Sequence, residues 1–231
     1  MHNLKKQTTA LTRKKKDKQA VYILMIVLQC LIYGIGNPIT KIAYESITPF
    51  WCLAFRFTLA ALLMAVLAGR KAIIELKAVR IGNWMPSALC MAGAYILSNL
   101  ALNLTDATTV GFLMSLPVLF VPVLAVFILH RPYYRKFLPI QLAAAAGLYL
   151  LCSNGDTFYF GLGEILALVT AVCTAGALVW SEKSLKSMSP VTISFVQITI
   201  TAILSVTGAF LFERRTDLSV IQPAAWLVIL Y

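Results

Sequence analysis

Long apolar stretches separated by short polar ones make up nearly the whole chain. A helix rises ~1.5 Å per residue, so crossing ~30 Å of hydrocarbon takes about 20 mostly apolar residues. Seven stretches fit, at 20–40, 49–69, 82–102, 107–129, 137–153, 161–181 and 190–212, and an eighth opens at 224–231. The connections are short, which favours antiparallel neighbours in one bundle with no soluble domain between them. The pattern predicts an all-α polytopic membrane protein. The 231 residues are 60% hydrophobic and 13% charged, against ~45–50% and ~25% in soluble domains. That composition excludes an ordinary soluble enzyme, a disordered chain and a fibrous repeat.

Charge sets the orientation. Of 20 basic residues, seven crowd into the first 18, before the first apolar stretch. A basic run there reads as a cytoplasmic anchor (residues 1–19), not as a nucleic-acid patch. With that end inside, sixteen basic residues fall on the tail and the inside loops. Three (Lys41, Arg214, Arg215) fall outside, and Arg56 lies within a span. The apolar stretch is too long for a signal-peptide core and is followed by further spans. The expected location is a plasma membrane, multi-pass, of bacterial type.

Other composition removes candidate chemistry. Cys30, Cys52, Cys90, Cys152 and Cys173 all lie in apolar spans with no C-x-x-C, and His2 and His130 are far apart. They read as buried small hydrophobes, so no disulfide, metal or cofactor is expected. An intramembrane enzyme would want paired acids, metal ligands or a nucleophile–base cluster within spans. None of its usual motifs occurs. A retinal protein would want a lysine in the seventh span, and residues 190–212 contain none. No repeated filter-like loop suggests a channel.

An internal repeat is visible when Pro49 is laid on Pro190. PFWCLAFRFTLAALL then aligns without gaps over PVTISFVQITITAIL, with Thr48 and Ser189 preceding the prolines. The second and seventh spans are an odd number apart, so they face opposite ways. A repeat of this kind is an inverted-topology repeat, as in many secondary transporters.

Residues 34–70 resemble the first two helices of the drug/metabolite transporter superfamily, EamA-like branch. The matching positions are Gly34, Asn37, Lys41, Pro49 and Arg56. Residues 96–152 are similar to that family's helices three to five, through Thr105-Asp106-Ala107-Thr108 and Ser115-Leu116-Pro117. The family usually carries Gly-Glu after its fourth helix, where this chain has His130-Arg131. The resemblance implies ten helices in two inverted five-helix units around a central cavity. Residues 20–153 would form the first unit and 161–231 the second, which is incomplete. It implies a permease for small organic metabolites, with export one direction left open, working by alternating access. A flippase for lipid-linked or amphipathic substrates is the alternative, as is a non-transporting membrane fragment. Expected partners are a small-molecule substrate, the bilayer and, as an option, a second copy in a homodimer.

Seven residues carry the candidate site. Arg56 sits seven residues into the second span, about 10 Å deep. It either pairs with a loop or another helix or lines a cavity mouth. Asn37, beside Pro38 and after Gly34 and Gly36, offers an amide where the proline frees a carbonyl. Asn99 lies in the last turns of the third span, and helix–helix bonding is its other reading. Ser115 and Pro117, with Pro122, are expected to break the fourth span, and a bent helix of this kind either lines the transport pathway and binds substrate or serves packing. Lys41 and Glu164 are candidates for coupling or gating. Lys41 also reads as a solvated loop residue, and Glu164 as a carboxylate favoured by the helix dipole. Glu182 and Lys183 read as a solvated pair. Trp51, Trp84 and Trp180 read as interfacial anchors.

Overall fold

The computed structural model describes residues 2–44, 46–133, 135–154, 157–158 and 161–213. The predicted eighth stretch at 224–231, with Arg214 and Arg215, lies outside the described residues, as do the side chains of the basic tail and of Cys152. Eight helices follow in order: α1 (His2–Ala43), α2 (Pro49–Ala78), α3 (Ile81–Leu104), α4 (Ala107–Leu113), α5 (Pro117–Leu129), α6 (Leu138–Cys152), α7 (Leu162–Ser184) and α8 (Pro190–Phe212). Between α6 and α7, Ser153–Asn154 pairs with Thr157–Phe158 in a minimal antiparallel hairpin. Among the described residues, six segments are long and apolar enough to cross a membrane, with α4 and α5 counted as one. The chain is an all-α polytopic membrane protein.

Proline sets several helix starts. Pro49, Pro117 and Pro190 occupy the first turns of α2, α5 and α8, where the missing N–H costs nothing and the fixed φ favours a helix. The fourth span breaks as expected, at Met114–Leu116, with Pro122 accommodated inside α5. The first span runs on through Pro38 to Ala43, so that proline does not end it. The second span is longer than predicted. Residues 70–78 are strong helix formers with Lys71 and Glu75 paired at i,i+4 (3.9 Å), so helix replaces most of the expected loop. The fifth span is shorter, 15 residues after a 3-10 turn at Arg135–Phe137. Turn and helix together reach about 28 Å.

The bundle is organised on two antiparallel pairs, α3 with α7 and α2 with α8, joined where α3 also meets α8. The α3–α7 seam is built from small residues: Ala88, Ala92, Ala101, Ala167, Ala171 and Ala175 are wholly buried. Small residues let backbones approach where lipid supplies no hydrophobic drive between helices. Along this seam Cys90 Sγ would lie 3.3 Å from a Cβ on Gly176, and Cys173 Sγ 3.8 Å from one on Gly93. Each helix therefore sets a cysteine against a glycine of the other. The small-residue patches of the sequence at Ala92–Ala94 and Ala171–Gly176 lie on this seam. That at Ala143–Gly147 is largely exposed on α6.

Interhelical polar contacts fix the rest. Gln197 Nε2 donates to Ser87 Oγ (2.8 Å) and Ser181 Oγ (3.0 Å), tying α8, α3 and α7 at one point. Each end of the α2–α8 pair is capped by an acid of the opposite helix. Glu213, just past α8, accepts from Thr48 Oγ1 (2.5 Å), Phe50 N (3.2 Å) and Trp51 N (3.2 Å) at the start of α2. Glu75, near the end of α2, accepts from Ser189 N and Ser189 Oγ (both 2.9 Å) at the start of α8. Orphan helix-start N–H groups and the helix dipole both favour a carboxylate there. Glu182 is not paired with Lys183. It meets Arg131 at 2.5 Å, and Lys183 lies over the Trp180 ring at 4.5 Å. Trp51 packs on Phe55 and edge-on to Phe210 (5.2 Å between centroids), so it joins helices as well as standing near an end.

Two glycine-type positions give stability predictions. A Cβ on Gly208 would come within 2.5 Å of the Phe50 ring, which itself stacks on Phe212 at 6.0 Å. Gly208→Ala should destabilise by about 1–3 kcal/mol through overpacking. Thermal unfolding in detergent should show the loss, and adding Phe50→Leu should restore part of it. His130 ends α5 in the left-handed region (φ 52°), at the position where the resembled family carries glycine. His130→Gly should stabilise by roughly 0.5–1 kcal/mol, because only a residue without Cβ holds this φ freely.

Candidate functional site

Three helix faces enclose a cavity of about 430 Å³ between α1, α2 and α3. On α2 the lining residues Leu53, Arg56, Ala60 and Leu63 recur at three- and four-residue intervals, one stripe of a helix. Gly36, Asn37 and Thr40 line it from α1, and Tyr95, Ser98, Asn99 and Leu102 from α3. Met114 reaches in from the break between α4 and α5, and Ile198 from α8.

The lining is asymmetric along the helices. Because α2 runs opposite to α1 and α3, Thr40, Arg56 and Asn99 gather toward the same end of the bundle. Ile32, Leu59 and Leu63 lie toward the other end, and all three are exposed. Midway, Phe57 and Tyr95 pack ring to ring at 4.7 Å, tilted by 55°.

The polar end is closed by hydrogen bonds between helices. Tyr44 Oη donates to Asn99 Oδ1, carrying the last turn of α1 onto α3. Asn99 Nδ2 in turn donates to Tyr95 O (2.8 Å), so that amide is held at both ends. Just beyond, Lys41 Nζ donates to Thr105 O at 2.6 Å and stands 3.6 Å from Asp106. Thr105 follows the last residue of α3, so Lys41 places a cation on the carbonyl end of that helix, where orphan acceptors and the dipole both favour it. Thr105 Oγ1 donates to Glu164, whose other oxygen accepts from Gly161 N (2.9 Å) in a capping box at the start of α7. The backbones are close enough here that a Cβ on Gly163 would stand 2.7 Å from Thr105 Cβ.

The predicted residues thus separate into two groups and a remainder. Asn37, Arg56 and Asn99 meet in the cavity. Lys41 and Glu164, distant in sequence, are joined through Thr105. Ser115 and Pro117 do not reach the cavity. Ser115 is exposed and bonds back to Phe112 O at 2.6 Å, while Pro117 is buried at the start of α5. Sequence reasoning passed over Tyr44, Phe57 and Tyr95. Tyr44 had a readable signal, since Asn37, Thr40 and Tyr44 are spaced three and four apart on one face of α1. The capping acids Glu75 and Glu213 carried none, because their partners lie across the bundle.

With this geometry in view, comparison with known proteins is specific about kinship. The profile of the EamA-like transporter family matches residues 20–153 and again 161–231. A protein described as an uncharacterized transporter from Archaeoglobus fulgidus is 25% identical over 196 residues, covering 85% of this chain. The chain spans 60% of that relative's length. A protein of known crystal structure shares the fold with a TM-score of 0.58 at 19% identity, over 85% of this chain and 70% of its own.

The Thr105 junction can be tested directly. Thr105→Val keeps the carbonyl that Lys41 uses and removes the hydroxyl that Glu164 uses. It should lower stability by about 1–3 kcal/mol, the cost of an acceptor left short of a partner. Combined with Glu164→Gln the losses should be less than additive when unfolding is measured for both single variants and the pair.

Proposed function

Because the chain belongs to the EamA-like transporter family, we propose that it acts as a secondary transporter of small organic metabolites, moving them across the plasma membrane by alternating access. The observation that carries this reading is the cavity between α1, α2 and α3, which gathers Asn37, Arg56 and Asn99 from three helices. Its volume lies in the range of small-molecule sites, ~300–1,000 Å³.

Access alternates when one end of such a cavity opens as the other closes. Here the polar end is held by the Tyr44–Asn99 bond and by the Lys41–Thr105–Glu164 chain. The charge distribution along the sequence supports that end as the outer one, and on that reading this is the outward-closed arrangement. Opening then requires α1 to leave α3, breaking both the Tyr44–Asn99 and the Lys41–Thr105 bonds. The antiparallel α2–α8 pair and its reciprocal acid caps support the inverted repeat as the symmetry relating the two states. A second reading has its own support. Ile32, Leu59 and Leu63 line the cavity and are also exposed, so it opens sideways between α1 and α2 as a flippase for amphipathic substrates would need.

Ala60 is the residue to test, because its side chain points into the cavity and makes no polar bond that the closure uses. Ala60→Trp should abolish counterflow of a metabolite panel in proteoliposomes, while the variant still elutes as a folded monodisperse species. Uninterrupted counterflow would sink the assignment of this cavity. Scrambling of a fluorescent phospholipid, with no metabolite movement, would favour the flippase.

A further inference from the structure

We infer that the cavity selects a monovalent organic anion, a carboxylate with an apolar body, and that Arg56 is its charge anchor. The inference rests on the cavity being the substrate site, and it adds the chemistry of what enters.

Charge is the first consideration. Arg56 lines the cavity one stripe position below Leu53 and one above Ala60. The described acids at this end are all engaged elsewhere: Glu213 at the start of α2, Glu164 with Thr105 and Gly161, Asp106 with Lys41. Among the described residues no carboxylate stands within ion-pair distance of Arg56. A guanidinium kept charged in an apolar bundle without a counter-charge is costly. A bound anion removes that cost, and guanidinium presents paired N–H donors that match a carboxylate.

The count of charges narrows the class. Among the described residues, one arginine lines the cavity and no acid does. A single cation balances one negative charge, whereas a phosphate ester carries about −1.5 to −2 at neutral pH and would enter with an excess. A zwitterion such as an amino acid would bring an ammonium for which the lining offers no carboxylate. Asn99 is spent on Tyr44 and Tyr95, and Ser98 Oγ donates to Tyr95 O at 3.0 Å. Asn37 remains as an amide lining the same cavity, close enough to α4 that a Cβ on Gly111 would stand 3.9 Å from its Nδ2. Below the charged end, Phe57, Tyr95, Ala60 and Leu63 give an apolar, partly aromatic wall. That wall suits a hydrocarbon or aromatic body.

The test is ligand-induced thermal stabilisation of the full-length protein in nanodiscs. The probes are 3-phenylpropionate, its neutral amide, phenylalanine, 3-phenylpropylamine, acetate and inorganic phosphate. Only 3-phenylpropionate should stabilise strongly, with acetate weaker because it lacks the body. Arg56→Gln should weaken 3-phenylpropionate by at least about tenfold, the scale of a lost charge-assisted bond, while leaving any response to the amide unchanged. Arg56→Lys should retain part of the response, and it serves if the glutamine variant does not fold. Ala60→Trp should remove the response with Arg56 intact. Equal stabilisation by the amide, the amine or phenylalanine would overturn the inference, as would a 3-phenylpropionate response untouched by both Arg56 variants. Counterflow with the same probes separates the two readings. Binding of 3-phenylpropionate without movement of any solute would defeat transport and leave the anion site. Movement confined to neutral or cationic probes would defeat the anion site and leave transport.

Discussion

Helix ends leave backbone groups that must find partners, and how those partners are supplied governs the described bundle. A helix leaves N–H groups unpaired at its start and carbonyls unpaired at its finish, and lipid can serve neither. Here four helix ends are served by charged residues, three of them from another helix. Glu213 takes the start of α2, Glu75 the start of α8, and Lys41 the finish of α3. Glu164 serves its own helix while holding Thr105 of the neighbouring junction. Between lipid-facing helices apolar surface supplies little attraction, so such polar end contacts decide which helices are neighbours.

The consequence is a division of mechanical roles. The α3–α7 and α2–α8 pairs are joined over their length by small-residue seams, aromatic contacts and end caps. By contrast, α1 presents exposed apolar side chains along residues 21–32 and meets α3 and α4 mainly near its finish. The cavity lies between these two kinds of structure. Tyr44 and Lys41, within one turn of each other on α1, make its bonds to Asn99 and Thr105. The cavity-lining helix with the fewest anchors is thus also the one whose anchors close the polar end.

Much of this architecture was legible in the sequence, because apolar length alone reports a membrane span. The positions of α2, α3, α7 and α8 follow from it to within a few residues, apart from the end of α2. That end was misplaced because charged residues at 70–77 look like a loop, yet they sustain a helix that leaves the apolar layer. The break near Ser115 was readable from Pro117, but of its residues Met114 and not Ser115 or Pro117 lines the cavity, since helix disruption does not tell which way a residue faces. Asn37, Arg56 and Asn99, which line the cavity, were singled out because polar groups inside apolar spans are conspicuous. Tyr44 and Phe57 were not, because an aromatic in such a span is unremarkable until a partner appears. Lys41 and Glu164 were each noticed singly. Their junction at Thr105 spans separations of 64 and 59 residues, which no local pattern records.

The alternation of cysteine and glycine across the α3–α7 seam bears on how the bundle can deform. Cys90 faces Gly176 while Gly93 faces Cys173, so bulk on one helix meets space on the other twice within about one turn. Sliding the helices by that turn would bring Cys90 onto Cys173 in one direction, and Gly93 onto Gly176 with a void between them in the other. Interlocked surfaces of this kind resist translation and tolerate small rotation about their line of contact. The seam therefore works as a pivot rather than a track. Its shape favours tilting of the two packed helices over axial sliding, the hinge-like class of motion rather than the shear class.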